Sequence, residues 1–412
     1  MELELTRPQL VRWRSAVFAI FFASGLSIAT WASRVPAIKH TLGVDNIQIG
    51  LMLLGAGIAS IVGLSLAPIV LARFGARSGM LTAMLVFAVG VAIIGMGTDI
   101  AESYVVVVGG LILFGLGNGA LDVMMNIEGA AIEKQSDKTI LPLFHAFFSF
   151  GTVVGAGIGA LAAWWGVGVV VHCSIIAVAI VLMAFVTHAM VPAREITMDP
   201  DEGEKRHWRE RLHTSLSAWR EPRTYALGVI MLGMAFAEGG ANDWLALGMV
   251  EGHDTTAAVG ALGLAVFSVS MTVVRVFGGP LVDRFGRVAT LRVLAGLATA
   301  GLLLFILAPN TPLVFIGAAL WGAGVSLGFP LGMSAAADDP AKAAARVSAA
   351  ATIGYISFLC GPPILGFVSE HIGLLNTLYI LVALAIASGL ASGAARPIAG
   401  STVGAGHRAE HR

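Results

Sequence analysis

A charged side chain at the centre of a bilayer costs about 2.5–3.5 kcal/mol even on a lenient scale, so an ionisable residue inside an apolar run faces protein or water. The 412-residue chain carries a short set of such residues. Asn118, Asp122 and Asn126 are spaced by four, which places them on one face of a helix. His145 follows a charged turn near Glu133 and Lys138. In an antiparallel helix pair closed at that turn, His145 comes level with Asn126, and Asp122 lies one turn further out. A carboxylate deprived of water takes up a proton, and histidine titrates near neutral pH. Asp122, Asn126 and His145 are therefore suited to binding and releasing a coupling proton. The same groups would also serve as a hydrogen-bonded network pinning two helices; their depth favours the functional reading.

A second set lies further along. Glu238 and Asn242 share a helix face, with Asp243 and Trp244 beside them. Arg34 lies about twenty residues into its run, the depth of Asp243 in its own. An Arg34–Asp243 or Arg34–Glu238 pair would close an outer gate or hold an anionic or polyhydroxy cargo; the alternative is an Arg34 that snorkels to the interface. Trp244 is placed on the cavity side, where an indole stacks on a sugar face, and Trp31 suits the interfacial aromatic belt equally well. Arg275 lies about 12 Å before Asp283 along a helix, and with Arg284 it is assigned to the inner gate rather than the cargo. The sequence contains no GxxxxGK[ST] loop, no HExxH and no CxxC, so neither ATP chemistry nor catalysis is expected, and no cofactor or metal. Cys173 and Cys360 sit in apolar runs and read as packing residues.

The elements that must position these residues follow from composition. Hydrophobic residues make up 57% of the chain, charged residues 12%, and the mean hydropathy is +0.85. A soluble domain has about 25% charged residues, so a soluble enzyme, a nucleic-acid binder and a disordered chain are excluded. Apolar runs give spans at about 14–39, 46–72, 79–98, 103–133, 139–164 and 166–191, then about 223–250, 256–282, 288–308, 312–337, 341–369 and 373–395. Asp45 and Thr255 are expected to cap the second and eighth. With both termini and the even-to-odd loops on one side, that side receives 22 of the 25 lysines and arginines. The positive-inside rule makes it cytoplasmic. Trp164 and Trp165 then fall at the outer interface. The first run, from Trp13, is too long for a cleavable signal peptide.

The expected organisation is an N-terminal six-helix bundle over 1–191, a cytoplasmic linker over 192–222, a C-terminal six-helix bundle over 223–395 and a tail over 396–412. In the linker, Trp208, Leu212, Leu216 and Trp219 share a face among Arg206, Arg209, Arg211 and Arg220, the pattern of a helix lying on a membrane leaflet. The halves repeat each other. Arg73-Phe74-Gly75 matches Arg284-Phe285-Gly286 at an offset of 211, and Gly115, Gly117, Gly159 and Gly166 match Gly322, Gly324, Gly366 and Gly373 at 207.

The stretch Gly279-Pro280-Leu281-Val282-Asp283-Arg284-Phe285-Gly286-Arg287 resembles the loop signature of the major facilitator superfamily. The first-half copy, from Pro68 to Arg77, departs from it, because Ala72 stands where an acid is usual. The resemblance implies an all-α membrane protein: twelve helices in two pseudo-symmetric bundles around a cavity with alternating access. It also implies that the first and seventh helices line that cavity, which brings Glu238 toward the substrate, and that Asp283, Arg284 and Arg73 act in gating. Leu121-Asp122-Val123-Met124-Met125-Asn126, Phe144 to Gly151 and Trp31 to Ile38 are similar to bacterial permeases distantly related to fucose permeases. The expected function is secondary active transport of a small polar solute, sugar-like or an organic acid, across the cell inner membrane. Protons are the expected coupling ion, in symport, and both termini are cytoplasmic. The partners are that solute, protons and the lipid bilayer; no nucleic acid is expected, and the protein is expected to be a monomer. Proton-driven efflux of drugs or metabolites is the alternative, and a membrane sensor that binds without transport is a further one. The glycines from Gly151 to Gly159 lack the proline of the efflux pattern, and this argues for uptake.

Overall fold

The computed structural model describes residues 6–136, 140–192, 218–339 and 342–398. The proposed leaflet helix around Trp208, Leu212 and Leu216 lies outside them, as does the C-terminal tail beyond 398. Of that pattern, Trp219 is described; its ring meets Tyr225 edge-on at 6.2 Å.

The described chain is helical throughout. The helices are α1 (Arg7–Leu42), α2 (Asn46–Asp99), α3 (Tyr104–Ser136), α4 (Leu141–Trp164), α5 (Val169–Met190), α6 (Pro222–Leu247), α7 (Ala257–Phe285), α8 (Arg287–Leu307), α9 (Thr311–Val325), α10 (Gly328–Ala336), α11 (Ala343–Ile372), α12 (Leu374–Thr377) and α13 (Tyr379–Ala391). A π turn, Gly248–Gly252, extends α6, and a 3-10 turn, Ser392–Ala395, ends the last helix. Among the described residues, ten helical stretches are long and apolar enough to cross a membrane. Two of these, Asn46–Asp99 and Ala257–Leu307, run to 54 and 51 residues. At 1.5 Å per residue each would measure about 80 Å, far beyond a hydrocarbon layer of about 30 Å. Both are broken, at Gly75 (φ 72°, ψ 167°) and at Gly286 (φ 79°, ψ 160°). Only glycine takes that conformation without strain.

These two breaks are the repeat written in backbone geometry. At the same offset of 211, Gly43 (φ 62°) corresponds to Asp254 (φ 51°); at 207, Gly166 (φ 67°) corresponds to Gly373 (φ 82°). The packing repeats as well. A Cβ on Gly110 would lie 2.9 Å from the Gly90 carbonyl oxygen, and a Cβ on Gly317 would lie 2.9 Å from that of Gly301. The change of offset falls between Gly90 and Gly110, at the turn that joins Asp99 to Tyr104.

Helix starts follow local chemistry. Asp45 caps α2 as expected, its carboxylate accepting the Gln48 N–H at 2.7 Å. Thr255 does not cap α7: its hydroxyl donates to the Met249 carbonyl of the π turn, and the cap is Thr256, whose Oγ1 accepts from Val259 N–H at 3.3 Å. Along α5, Val171, Ile175, Val178, Leu182, Phe185 and Val186 are exposed while His172, Cys173, Ile176, Ile180, Ala184 and Thr187 are buried. An exposed face that apolar is a lipid-facing face. Trp164 and Trp165 are exposed as well.

Packing groups the chain into two compact units. The first takes in Met1–Pro200, Asn242–Val269 and Pro362–Leu374; the second takes in Asp201–Ala241, Ser270–Gly361 and Leu375–Arg412. In the first, the later segments seat against the turn between α1 and α2. Lys39 forms an ion pair with Glu251 and donates to Asn46 Oδ1 at 2.6 Å, while Asn46 N–H donates to Glu370 at 3.1 Å. Gly50 makes room for the Pro362 carbonyl oxygen, which would lie 2.8 Å from a Cβ there. In the second unit, Leu227, Ile230, Met231, Leu291 and Ala350 form an apolar core. Beside it the buried Asp338 carboxylate is shared by Arg287 at 2.7 Å and Arg223 at 3.0 Å.

Candidate functional site

In the second unit, three elements bring polar groups together within apolar helices. Glu238 lies on α6 and Arg275 on α7; Arg275 Nη2 donates to both carboxylate oxygens of Glu238 at 2.7 Å. The expected tenth span is not one continuous helix, because α9 ends at Val325 and α10 begins at Gly328. A break inside a span frees backbone carbonyls that need partners. Arg275 Nε supplies one, donating to Ser326 O at 3.0 Å. Nearby, Trp321 Nε1 donates to Ala237 O at 3.2 Å. The node joins a carboxylate, a guanidinium and an interrupted helix.

This corrects two sequence expectations. Arg275 is the partner of Glu238, and so belongs with that carboxylate rather than with Asp283 and Arg284. Arg34 pairs with neither Glu238 nor Asp243; its Nη2 donates to Val167 O at 2.5 Å. The reason is reach: the turn after α4 presents the Val167 carbonyl to Arg34 within its own unit.

In the first unit, α3 carries Asn118, Asp122 and Asn126. Asn118 Oδ1 accepts from Ser24 on α1 at 2.7 Å. Asn126 Nδ2 turns back along its own helix to Asp122, 2.8 Å to the backbone oxygen and 3.3 Å to Oδ1. Asp122 is exposed, and no cation meets it among the described residues. His145 presents its ring to Phe21 at 5.2 Å, edge to face. Asn242 and Asp243 are half-buried, and Asp243 has no hydrogen-bond or ion-pair partner among the described residues. Trp244 is fully buried, with its indole N–H unpartnered. The buried ring offers no exposed face to a solute, contrary to the cavity-side placement.

The expected gating residues lie at the helix breaks. Arg73 and Arg284 stack on the neighbouring rings of Phe74 and Phe285, at 5.7 and 5.3 Å. Asp283 is exposed and unpaired among the described residues, whereas Arg287, four positions on, holds the buried Asp338. Sequence reasoning passed over Asp338, Arg223 and Arg287 as members of an ion-pair cluster, because they lie at helix ends. It also passed over Glu128, which is fully buried on α3 and accepts Trp13 Nε1 at 2.7 Å. The signal was available: Glu128 follows the buried Met124 and Met125 at helical spacing.

A family model described as the Major Facilitator Superfamily matches residues 16–362 and 249–405. An uncharacterised MFS-type transporter of Yersinia pestis is 28% identical over 353 residues, 85% of this chain and 87% of the relative. Membrane protein MosC of Rhizobium meliloti is 26% identical over 383 residues, covering 92% and 89%. Among solved structures, the nucleoside transporter NupG superposes with a TM-score of 0.71 at 13% identity, covering 93% of this chain and 98% of that one. The fucose:proton symporter FucP of E. coli gives 0.63 at 17% identity, covering 95% and 100%.

Proposed function

The chain belongs to the major facilitator superfamily, a multi-pass membrane transporter and not an enzyme, and from that premise we propose that it moves a small polyhydroxylated solute by proton-coupled symport. The breaks at Gly75 and Gly286, each within an overlong apolar stretch, support the reading of twelve crossings, six in each half. The lysine and arginine distribution supports cytoplasmic termini, and we read the membrane as the cell inner membrane. The turn between α1 and α2, with its Lys39–Glu251 pair, then belongs to the outer face.

One observation carries the coupling: Glu238 is neutralised by Arg275, while Asp122 and Asp243 are met by no cation among the described residues. A lone carboxylate in a span is charged when wetted and protonated when dry, so its charge follows the access state. Alternating wetting therefore turns Asp122 into a proton carrier and biases the equilibrium between the access states. Glu238, fixed by Arg275, offers acceptor oxygens for solute hydroxyls. The relatives among solved structures carry nucleosides and fucose, which is the same hydroxyl-rich chemistry.

The test begins with a thermal-shift screen of the purified protein against sugars, nucleosides and organic acids. The stabilising solute is then followed into proteoliposomes under an imposed pH gradient. Accumulation that a protonophore abolishes is the expected result. A solute that binds but never accumulates refutes transport, and accumulation unaffected by the protonophore refutes proton coupling.

A further inference from the structure

Arg34 is buried, with 4% of its surface exposed, within the first unit. Its Nη2 reaches Val167 O, but its Nε and Nη1 have no partner. His172, at the start of α5, is 2% exposed, and neither ring nitrogen has a partner. Arg34 holds the Val167 carbonyl just before the helix that carries His172. The imidazole edge is fixed from another side too: Gly159 on α4 faces Ser33 and the His172 Cε1, which would be 3.7 Å from a Cβ there. Trp31, one helical turn before Arg34, is also buried with an unpartnered indole N–H. The other titratable groups facing Arg34 are Asp99 and Cys173. The Asp99 carboxylate is engaged by the Val170 N–H at 2.8 Å, so it caps α5 and does not complete the guanidinium.

Burying unmet donors of a guanidinium is among the more costly arrangements a fold can hold. Arg34 offers three N–H groups on Nε and Nη1 and the His172 ring at least one more, against at most one accepting imidazole nitrogen. A water there brings two hydrogens and finds one acceptor. An anion accepts from every donor. We propose that Arg34 and His172 bind a small inorganic monoanion of the halide class, which locks the ends of α1, α4 and α5 together. This site is separate from the residues proposed to carry protons and solute.

The test uses the purified full-length protein in sodium gluconate, titrated with sodium chloride at constant ionic strength. A saturable rise in Tm of about 3 °C or more is expected, with bromide acting likewise. In Arg34→Gln, checked for a monodisperse elution profile, the chloride response is expected to vanish. Crystals grown in bromide are expected to show an anomalous peak between Arg34 and His172, a readout that holds even if the variant does not fold. A wild-type Tm independent of chloride, a full response kept by Arg34→Gln, or a response confined to carboxylate-bearing solutes would each overturn the proposal.

Discussion

Replacing Arg275 with glutamine leaves Glu238 as a lone carboxylate between apolar helices. In the native protein one guanidinium nitrogen bridges both carboxylate oxygens at 2.7 Å, and a second holds the Ser326 carbonyl at 3.0 Å. Breaking a fully buried pair costs about 3–5 kcal/mol. Here the side chains are 18% and 15% exposed, so some solvent screening enters and about 2–3 kcal/mol is expected. That corresponds to roughly 5 °C in Tm for a unit of this size. Glu238→Gln strands the guanidinium and is expected to cost a similar amount. The double variant removes both charges together and recovers most of the loss, leaving a coupling of about 2 kcal/mol in a double-mutant cycle. The assay is thermal unfolding of the four proteins in one detergent, at pH 7 and at two salt concentrations. Losses that simply add, with coupling under about 0.5 kcal/mol, would refute the reasoning that the pair neutralises itself within the unit.

Two further predictions concern packing and pH. Gly301→Ala places a methyl 2.8 Å from the Gly317 carbonyl oxygen, where only backbone movement makes room, whereas a Cβ on Gly296 meets nothing within 4 Å. Gly301→Ala is therefore expected to lower Tm by several degrees, while Gly296→Ala leaves it unchanged or raises it, because alanine suits helices better; thermal shifts of the two variants decide this. Glu221, outside the spans, accepts from Arg346 at 2.6 Å and from Lys342 at 2.9 Å. Arg346 first, and Lys342 after it, hold its carboxyl below the usual glutamate range, against a smaller opposing effect of burial. A lowered folded-state value contributes stability that is present at neutral pH and is lost as the pH falls through the acid range. The Tm difference between wild type and Glu221→Gln is thus expected to be small but measurable at pH 7 and to close on acidification; a difference that widens in acid would contradict the assignment.

What the sequence disclosed divides along a physical line. Spans, loops and the repeat were legible because they depend on apolar runs and glycines, which act locally; Gly75 and Gly286 break their helices in the same conformation. Which helix face a residue occupies was legible too, as for Asn126 and Asp122 on α3. Partner choice was not, because it depends on how helices distant in sequence cross. Arg275 reached Glu238 across 37 residues, and Asp338 gathered Arg223 from 115 residues away. Depth arithmetic put Arg34 at the level of Asp243, yet depth says nothing of azimuth, and Arg34 turned into its own bundle toward Val167. The division of α9 from α10 is marked by Pro330, which has no N–H to offer the Ser326 carbonyl four positions back, a signal the span reading passed over.

The central claim is that an unpaired carboxylate on α3 couples protons to solute, and Asp122→Asn in proteoliposomes tests it most directly. Asparagine keeps the shape of a protonated aspartate but cannot release the proton. The variant is expected to exchange labelled solute across the membrane at equilibrium while failing to concentrate it under a pH gradient. Wild-type accumulation by Asp122→Asn under that gradient would contradict the account.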